Sequence, residues 1–358
     1  MFFNNSGNSC WDRISYLQSL SFTHFLWNLS LKFWAFLSLL IPAGCSSTSI
    51  EESLPPPAID YKVSVLLSDI RNGNTHLDIL VFENDRLARL DAYQRIDEFN
   101  GNIAYIESTG GKKILFLYAG GPHYHFEWSH VNSYGCLKEM RTQLKHESIG
   151  HPTLSGECEI DAGGRSGQIS LKPLISEVRI EAISCDFSNT PYAGSQITDL
   201  KAYLINVNSS CPLSCPTPEK PVELINHGML SREDLGTMMD PSILYCDLIP
   251  KLGSETFRPE CRFLCMPNYG TEGSPGNPPT RLVLEGAIEG NIYYWSINIG
   301  SQHEENTYVI DRNICYTYDI LIRRKGTTDP DIPFYIKTED VKLRIEKWTE
   351  KEEYGIDF

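Results

Sequence analysis

The segment PHYHFEWSH, residues 122–130, holds the side chains best suited to metal chemistry. On an extended strand His123, His125 and Glu127 would share one face, because alternate residues of a strand point the same way. Two imidazoles and a carboxylate can ligate a transition metal, and His130 could add a fourth group. A Gly-Gly-Pro turn precedes these residues, however, and a row of solvent-facing histidines explains the pattern equally simply. We therefore predict no metal ligand. A metal-dependent enzyme that uses this segment is kept as an alternative interpretation.

Sequence motifs of common enzymes are missing from the chain. HESIGH, residues 146–151, differs from the zinc-protease motif H-E-x-x-H because its histidines are five residues apart instead of four. That spacing places them about 140° apart around a helix, so they do not share a face. No G-x-S-x-G, phosphate-binding loop or dinucleotide fingerprint is present. The sequence predicts a protein that is not an enzyme, with no catalytic residue and no cofactor.

The first 45 residues have the layout of an export signal. Lys32 precedes a short apolar run, Phe33 to Ile41, which is too short to span a bilayer as a mature helix. Two small residues then precede Cys45, and this ending resembles a bacterial lipobox, in which the cysteine is acylated and becomes the mature N-terminus. Pro42 stands where leucine is usual. An ordinary signal peptide or an uncleaved signal anchor is the alternative.

The amino-acid composition distinguishes a linker near the N-terminus from the globular part of the chain. We assign residues 1–44 to the signal and residues 45–60 to a lipidated tether, because serine, glutamate and a proline triplet form a solvated linker. The remaining chain suits a globular protein, since 41% of all residues are hydrophobic and 11% are aromatic. A net charge of −15 repels phosphate backbones, so we predict no nucleic-acid partner.

Nine cysteines follow the lipobox, and an exported chain meets an oxidising compartment in which disulfides are the default. CPLSC and CRFLC could instead supply four thiolates to zinc, but prolines flank the first pair and we favour disulfides. Nine is odd, so at least one cysteine stays free or pairs with another chain. The disulfide candidates are Cys136, Cys158, Cys185, Cys211, Cys215, Cys246, Cys261, Cys265 and Cys315.

Short apolar runs bounded by Gly, Asn, Asp or Pro predict β-strands throughout the globular part. Glu289-Gly290 predicts a hairpin turn between residues 281–288 and 291–300. One helix is predicted over residues 131–147, where Leu137, Met140 and Leu144 recur at helical spacing. The other predicted strands are 61–69, 75–84, 112–119, 167–173, 177–185, 199–208 and 314–326.

Several of these stretches together resemble the fimbrillin superfamily of Bacteroidales, whose members build surface pili from lipoprotein precursors. They are THLDILVFENDRLARLDAYQRI (75–96), GKKILFLYAGG (111–121), and residues 156–184, 265–300 and 308–331. The resemblance implies an all-β chain of two transthyretin-like β-sandwich domains, with a short helix in the first and a C-terminal exchangeable strand pair. We place the domains at residues 61–210 and 211–358.

The same resemblance implies assembly by strand exchange. An Arg-directed protease removes the first strand, and a neighbour's C-terminal strands fill the groove by β-augmentation. In this chain the first strand would be residues 62–68, and a cut after Arg71 would make Asn72 the new N-terminus. Arg71 as an ordinary loop arginine is the alternative. Arg86 and Arg89 are later cleavage candidates that would remove more structure.

The tail VKLRIEKWTEKEEYGIDF, residues 341–358, holds two alternating apolar runs around a polar stretch. Alternation with period two is typical of a strand with one buried face. The runs either complete the chain's own sheet or insert into another subunit. The donor candidates are Val341, Leu343, Ile345, Trp348, Tyr354, Ile356 and Phe358.

The expected function is that of a structural and adhesive fimbrial subunit at the outer membrane and extracellular surface, with other pilus subunits and a lipid anchor as its associations. The Cys- and Pro-rich residues 209–280 favour a minor or tip subunit over a repeating shaft subunit. The alternative is a tip adhesin that binds surface glycans or proteins. It would use residues 266–280 and the aromatic run Tyr293, Tyr294 and Trp295.

Overall fold

The computed structural model describes residues 58–67, 76–97, 99, 103–120, 126–160, 166–214, 217–304, 306–334 and 340–348, with the backbone alone for 58–67 and 166. All of these belong to the second of two units into which the chain divides, Pro56–Phe358. The predicted residues that lie outside the described ranges are Cys45, Arg71, Asn72, His123, His125, Cys215, Tyr354, Ile356 and Phe358.

Strands are the main secondary structure of the described residues, which confirms the all-β prediction. The helices are α1 (Tyr134–Glu139) and α2 (Arg232–Thr237), and single turns of 3-10 helix lie at Leu144–His146 and Pro241–Ile243. The strands up to residue 212 are β1 (Ala58–Leu67), β2 (Leu77–Glu83), β3 (Leu90–Ile96), β4 (Ile103–Thr109), β5 (Lys113–Ala119), β6 (Arg141–Gln143), β7 (Leu154–Ile160), β8 (Ser166–Pro173), β9 (Ser176–Cys185), β10 (Ile197–Ile205), β11 (Val207–Asn208) and β12 (Ser210–Pro212). The later strands are β13 (Leu224–Ile225), β14 (Tyr245–Leu252), β15 (Arg262–Cys265), β16 (Asn268–Thr271), β17 (Arg281–Ile288), β18 (Asn291–Asn298), β19 (Ser301–Glu304), β20 (Thr307–Ile310), β21 (Ile314–Ile322) and β22 (Val341–Lys347).

The N-terminal strands form a seven-stranded sheet in the order β3-β2-β5-β7-β8-β1-β4. The junction between β7 and β8 is short, since only Leu154 and Ser155 pair with β8. Both halves of the sheet contribute to one buried cluster. Its buried members are Leu77, Ile79, Val81, Ala104, Ile106, Leu115, Leu117, Ala119, Leu154, Ile160, Ile169 and Leu171.

The C-terminal strands form two four-stranded sheets, β14-β10-β17-β18 and β15-β9-β21-β22. A second buried cluster draws side chains from both sheets, among them Leu204 and Trp295 from the first and Phe263 and Tyr316 from the second. Smaller sheets β11-β13, β12-β6 and β16-β20-β19 lie among the connections.

The change of pairing partners lies earlier than the predicted domain boundary near residue 210. Strands β9 and β10 precede that residue, yet in the described sheets β9 pairs with β15 and β21, and β10 pairs with β14 and β17. The two strands therefore belong with the C-terminal sheets. A division into domains 61–210 and 211–358 stays a prediction.

The helix predicted over residues 131–147 is wrong in its extent. Helix α1 starts after Ser133, whose side chain accepts from the Cys136 N–H, and it ends before Met140, which has an extended backbone (ψ 137°). Residues Arg141–Gln143 then pair with Ser210–Pro212. The helical spacing of apolar residues is overridden because this tertiary pairing satisfies the backbone hydrogen bonds.

The hairpin predicted at Glu289-Gly290 is confirmed. Ile288 pairs with Asn291, and Glu289 and Gly290 have φ values of 53° and 81°. Two consecutive residues with positive φ are what a two-residue type I′ turn requires. In the part of the chain that the structure describes, no helix has both the length and the apolar character needed to cross a membrane.

Candidate strand-exchange site

Strand β1 lies in the interior of the seven-stranded sheet. It pairs antiparallel with β4, from Ala58 opposite Thr109 to Ser64 opposite Ile103. On its other side it pairs parallel with β8, from Lys62 to Leu67. The two ladders overlap at residues 62–64, so β1 uses both of its backbone edges and has the position of an interior strand, not of an edge strand.

Alternate residues of β1 stand opposite buried residues of the neighbouring strands. The register gives Tyr61 with Ile106, Val63 with Ala104, Val65 with Ile169, and Leu67 with Leu171. Each of these partners on β4 and β8 is at most 3% exposed. Residues opposite each other in adjacent strands lie on the same face of the sheet. The period-two pattern of β1 thus matches the face that closes the N-terminal core.

Strand β4 depends on β1 for its place in the sheet. It ends the strand order, and β1 is its pairing partner within the described sheets. Removing β1 would leave β4 without this ladder and would free the edge of β8 that faces β1. Unpaired N–H and C=O groups along such edges form a template for another strand.

The predicted cleavage position follows β1 directly, since β1 ends at Leu67 and Arg71 and Asn72 lie in the undescribed residues before β2. The later arginines have a different setting. Arg86 and Arg89 are exposed between β2 and β3, and Arg89 forms an isolated bridge with Ser133. A cut at either would separate β1 and β2 together from the rest of the sheet.

The described part of the C-terminal tail forms β22. Its residues from Val341 to Lys347 pair antiparallel with β21, at the edge of the sheet β15-β9-β21-β22. Leu343 and Ile345 are 41% and 44% exposed. Trp348 is half-buried and packs against the large C-terminal cluster together with Val341. Within this chain the first run of the tail is thus paired through its backbone, while two of its apolar side chains remain on the surface.

One disulfide is present among the described cysteines, between Cys246 on β14 and Cys261 just before β15. It joins the edge strands of the two C-terminal sheets. Burial raises the pKa of Cys185 and Cys265 to about 12, which makes these two thiols poor nucleophiles. Cys211 Sγ lies 3.3 Å from Met266 Sδ. The cysteines present as thiols include Cys136, Cys158, Cys185, Cys265 and Cys315.

The histidine segment is described only in part. Glu127 and His130 are exposed, and Glu127 accepts a hydrogen bond from the Ser129 N–H. No group of three or more His, Cys, Asp or Glu side chains that could hold a metal ion occurs among the residues the structure describes.

The aromatic run proposed as a glycan platform is divided between two faces. Trp295 is 2% exposed in the core, and its Nε1 donates to the Arg324 carbonyl at 2.9 Å. Tyr293 lies below the Lys325 ammonium, and Tyr294 packs on the opposite face of the sheet with Tyr203. The run therefore does not form a continuous aromatic surface, because the alternation of a strand separates neighbouring side chains.

Residues 266–280, the other part of the proposed glycan-binding surface, include a strand. Asn268–Thr271 make strand β16, which pairs with β20. The Asn268 side chain is buried and donates to Thr280 Oγ1 at 2.9 Å. Glycine and proline here serve close packing, since a Cβ on Gly270 would lie 2.5 Å from Pro279.

Two networks of buried charged residues were not predicted from the sequence. Asp78, fully buried on β2, accepts from Arg95 at 2.8 and 2.9 Å and from the Tyr93 hydroxyl at 2.8 Å. Lys113, fully buried on β5, contacts Glu83 and Asp91. In both cases the signal was a charged residue within or beside an apolar strand run, LDILVF and KILFLYA.

Comparison with solved structures identifies the fold. The chain is similar to a candidate cell adhesion protein from Bacteroides eggerthii DSM 20697, with a TM-score of 0.57 and 15% identity over 82% of this chain and 97% of that chain. It is also similar to a fimbrilin, FimA, from Porphyromonas gingivalis W83, with a TM-score of 0.54 and 13% identity over 80% and 97% of the two chains. No protein-family model and no curated protein sequence matches it.

A second candidate cell adhesion protein, from Parabacteroides distasonis ATCC 8503, gives the same result, with a TM-score of 0.57 and 14% identity over 81% of this chain and 96% of that chain. The chain therefore has the fold of Bacteroidales fimbrial and cell-adhesion proteins. The fimbrillin resemblance inferred from sequence motifs is confirmed at the level of the fold.

Proposed function

We propose that this protein is a structural subunit of a cell-surface fimbrium that assembles by strand exchange. The observation that carries the proposal is the contrast between β1 and β22. Strand β1 is paired on both sides and stands opposite core residues, whereas β22, among the strands that the structure describes, is paired on one side and exposes Leu343 and Ile345. Removal of β1 leaves an acceptor groove, and β22 can detach from its sheet at a low cost in free energy.

In this scheme β1 fills the groove of the precursor, and a cut after Arg71 releases it. The groove then lies between β4 and β8, with the N-terminal core open along the register positions of Tyr61, Val63, Val65 and Leu67. A strand with period-two apolar residues fits these positions. Val341, Leu343 and Ile345 of a second subunit have that spacing, and the undescribed residues Tyr354, Ile356 and Phe358 repeat it in a second, separate run.

Backbone pairing with two partner strands supplies the affinity of such an exchange, and the alternate apolar side chains fix the register. The donated strand gains a second backbone ladder in addition to the single ladder that β22 makes within the described sheets. That gain is the thermodynamic drive for polymerisation. Export as a lipoprotein through Cys45 would hold the precursor at the outer membrane until the cut occurs, and no catalytic role is part of the proposal.

Cleavage and exchange are tested by the N-terminus and intact mass of the protein recovered from the cell surface. We expect Asn72 as the N-terminus of polymerised protein and acylated Cys45 on the unassembled precursor. An Arg71→Ala variant should accumulate as precursor and stay out of the polymer. Arg86→Ala and Arg89→Ala are matched controls, because both arginines are exposed nearby. Polymer formed from uncut chains, or unaffected by Arg71→Ala, would overturn the cleavage step.

We also propose that the subunit is a minor or tip component of the fimbrium. Residues 209–280 support this, since they add α2, the small strands β13 and β16 and the Cys246–Cys261 disulfide between the main sheets. A repeating shaft subunit gains little from such elaboration. Immuno-electron microscopy should show label at one end of each fimbrium, and label along the whole length would contradict this assignment.

A further inference from the structure

Lys113 is the centre of a polar cluster in the N-terminal sheet. Its side chain is 0% exposed. Its Nζ lies 2.6 Å from Glu83 Oε1, 3.0 Å from Asp91 Oδ2 and 2.8 Å from Thr109 Oγ1. Asp91 is 10% exposed, so the amine and this carboxylate meet almost out of contact with water. Burial strengthens the interaction between these two groups, whereas Glu83, on the same amine, is 35% exposed.

The sheet positions these three charged groups by register and by one irregularity. Glu83 on β2 and Lys113 on β5 are directly opposite each other. Between β2 and β3 the register shifts, because Val81 pairs with Ala92 while Phe82 pairs with Leu90. Asp91 is the extra residue of this bulge. A bulge turns a side chain out of the regular alternation, and here it directs Asp91 across the sheet towards Lys113.

The Asp91 carboxylate is held by donors from the end of β4. The Thr109 N–H donates to Oδ2 at 2.8 Å, the Thr109 hydroxyl donates to Oδ1 at 2.8 Å, and the Ser108 hydroxyl also donates to Oδ2. Fixed donors on a carboxyl group stabilise the negative charge that develops when a nucleophile adds to its carbon. The arrangement thus pairs an amine nucleophile with a held carboxyl group and a second carboxylate in contact with the amine.

We propose that Lys113 and Asp91 condense to an intramolecular isopeptide bond, with Glu83 as the proton carrier. The bond forms between Lys113 Nζ and the side-chain carbonyl carbon of Asp91, and it crosses β2 to join β3 to β5. This cross-link is independent of the proposed strand exchange, since all of its groups lie within one chain.

Atoms and charges balance without any further reactant. Burial raises the pKa of Asp91, but hydrogen bonds from Ser108 and Lys113 outweigh this effect and hold the pKa below its ordinary value. The reactants are the ammonium and the carboxylate of the Lys113–Asp91 ion pair. Glu83 takes a proton from Nζ, the free amine adds to the carboxyl carbon, and the C–O bond to one carboxyl oxygen breaks. Glu83 returns its proton to that oxygen, and a second proton moves there from the nitrogen that has added. The oxygen leaves as water, and the third proton remains as the amide N–H.

Mass spectrometry of the full chain decides between this bond and a permanent ion pair. The protein should be purified folded and kept near neutral pH. Its disulfide should then be reduced, and its intact mass should be compared with the sequence mass for its measured N-terminus. We expect the chain to be lighter by one water molecule. Proteolytic mapping should give one branched peptide that contains both Asp91 and Lys113, which separates the cross-link from dehydration at another residue.

Three variants test the roles of the three charged residues. Lys113→Arg removes the nucleophile and should have its full sequence mass. Asp91→Asn keeps an electrophilic carbonyl with a different leaving group, so it should be lighter by one ammonia molecule. Glu83→Gln keeps both reacting groups but removes the proton carrier, and it should remain at its full mass.

A wild-type chain at its full sequence mass, or lighter by one water without the branched peptide, overturns the proposal. That result comes from the wild-type protein and does not depend on whether a variant folds. Cross-linked Glu83→Gln protein would overturn the role of Glu83. A cross-linked wild type should also keep β3 attached during unfolding, so hydrogen exchange of β3 should be slower than in Lys113→Arg.

Discussion

The backbone N–H of Trp348 donates to the carbonyl oxygen of Asn313 at 2.9 Å, one step beyond the last residue pair of β22 and β21. This bond extends the ladder to the end of the described tail, and the half-buried Trp348 ring packs against the C-terminal cluster. The tail is thus anchored at Trp348 and at Val341, while Leu343 and Ile345 between them face solvent. A strand with anchored ends and an exposed middle is suited to pair within its own chain and also to pair with another subunit.

The first prediction concerns the double substitution of Leu343 and Ile345 by aspartate. These side chains are 41% and 44% exposed, so the folded monomer should lose only about 1–2 kcal/mol in its free energy of unfolding, mainly through reduced strand propensity. Assembly should be abolished, because two charges would enter the apolar groove of the acceptor subunit. Denaturant unfolding of the monomer and the amount of surface polymer measure the two effects.

The matched control is Lys342→Asp, an exposed residue on the other face of β22. It changes the charge of the same strand without placing a carboxylate in the groove, so polymer should still form. Equal loss of polymer in both variants would indicate a general charge effect and would contradict the assigned face. Normal polymer from the double variant would exclude this run as the donor.

Sequence patterns predicted the strands with strong apolar character and missed those without it. LDILVF and RLVLEGAI lie in sheet interiors and were found, because central strands carry nearly continuous apolar residues. Strand β3 was missed, since LDAYQRI is largely polar and pairs at a sheet edge. Strand β14 was missed for a similar reason, because Pro250 interrupts it and proline is confined to edges.

The sequence predicted the two strands of the candidate site, β1 and β22. It did not predict which of them is central in its sheet and which lies at an edge. A short apolar run identified residues in β1, and period-two alternation identified residues in β22. Which strand is central and which is an edge depends on long-range register, such as Val63 opposite Ala104 and Ile345 opposite Tyr316. The contact between Lys113 and Asp91 also depends on long-range register, because it arises from a β-bulge that no local sequence pattern predicts.

The second prediction concerns the disulfide between Cys246 and Cys261. It closes a loop with a sequence separation of 15, and its Cα atoms are 6.5 Å apart. A loop of this length corresponds to about 3 kcal/mol in the free energy of unfolding on the chain-entropy estimate. Cys246→Ser or reduction should lower stability by that order in denaturant unfolding.

Cys136→Ser is the control for that measurement, since Cys136 is a half-buried thiol outside the disulfide. It should change stability little, and a reductant should still destabilise it as it destabilises the wild type. A wild-type protein that unfolds at the same denaturant concentration with and without reductant would contradict a stabilising role for this bond.

The third prediction concerns Asp78. Burial raises the pKa of its carboxyl, but hydrogen bonds from His76 and Arg95 outweigh this and hold the pKa well below its ordinary value near 3.8. A lowered pKa contributes stability above the unfolded value, and that stability is lost as the pH falls below it. Asp78→Asn should therefore lose about 2 kcal/mol at pH 7, the order of a charged hydrogen bond, and lose less at pH 3. Unfolding at both pH values tests this, and an equal loss at both would contradict it.

The last prediction concerns Glu147, a carboxyl that opposes folding at neutral pH. It is 1% exposed, and the Thr153 N–H donates to its Oε2 at 2.8 Å. Burial raises its pKa from 4.5 to about 7. A raised pKa favours folding fully below the unfolded value, and this contribution is lost as the pH rises through the folded value. Between pH 4.5 and pH 7 this residue should therefore remove up to about 3 kcal/mol from the free energy of unfolding.

Glu147→Gln should remove that loss, because the amide oxygen can still accept from Thr153 and carries no charge to desolvate. The variant should be more stable than the wild type at pH 8 and close to it at pH 4.5. The exposed Glu255→Gln is the control, and it should follow the wild-type pH profile. Unfolding curves across this range provide the test. A Glu147→Gln profile parallel to that of the wild type would show that Glu147 is ionised at little cost, through contacts that solvate its charge in the folded protein.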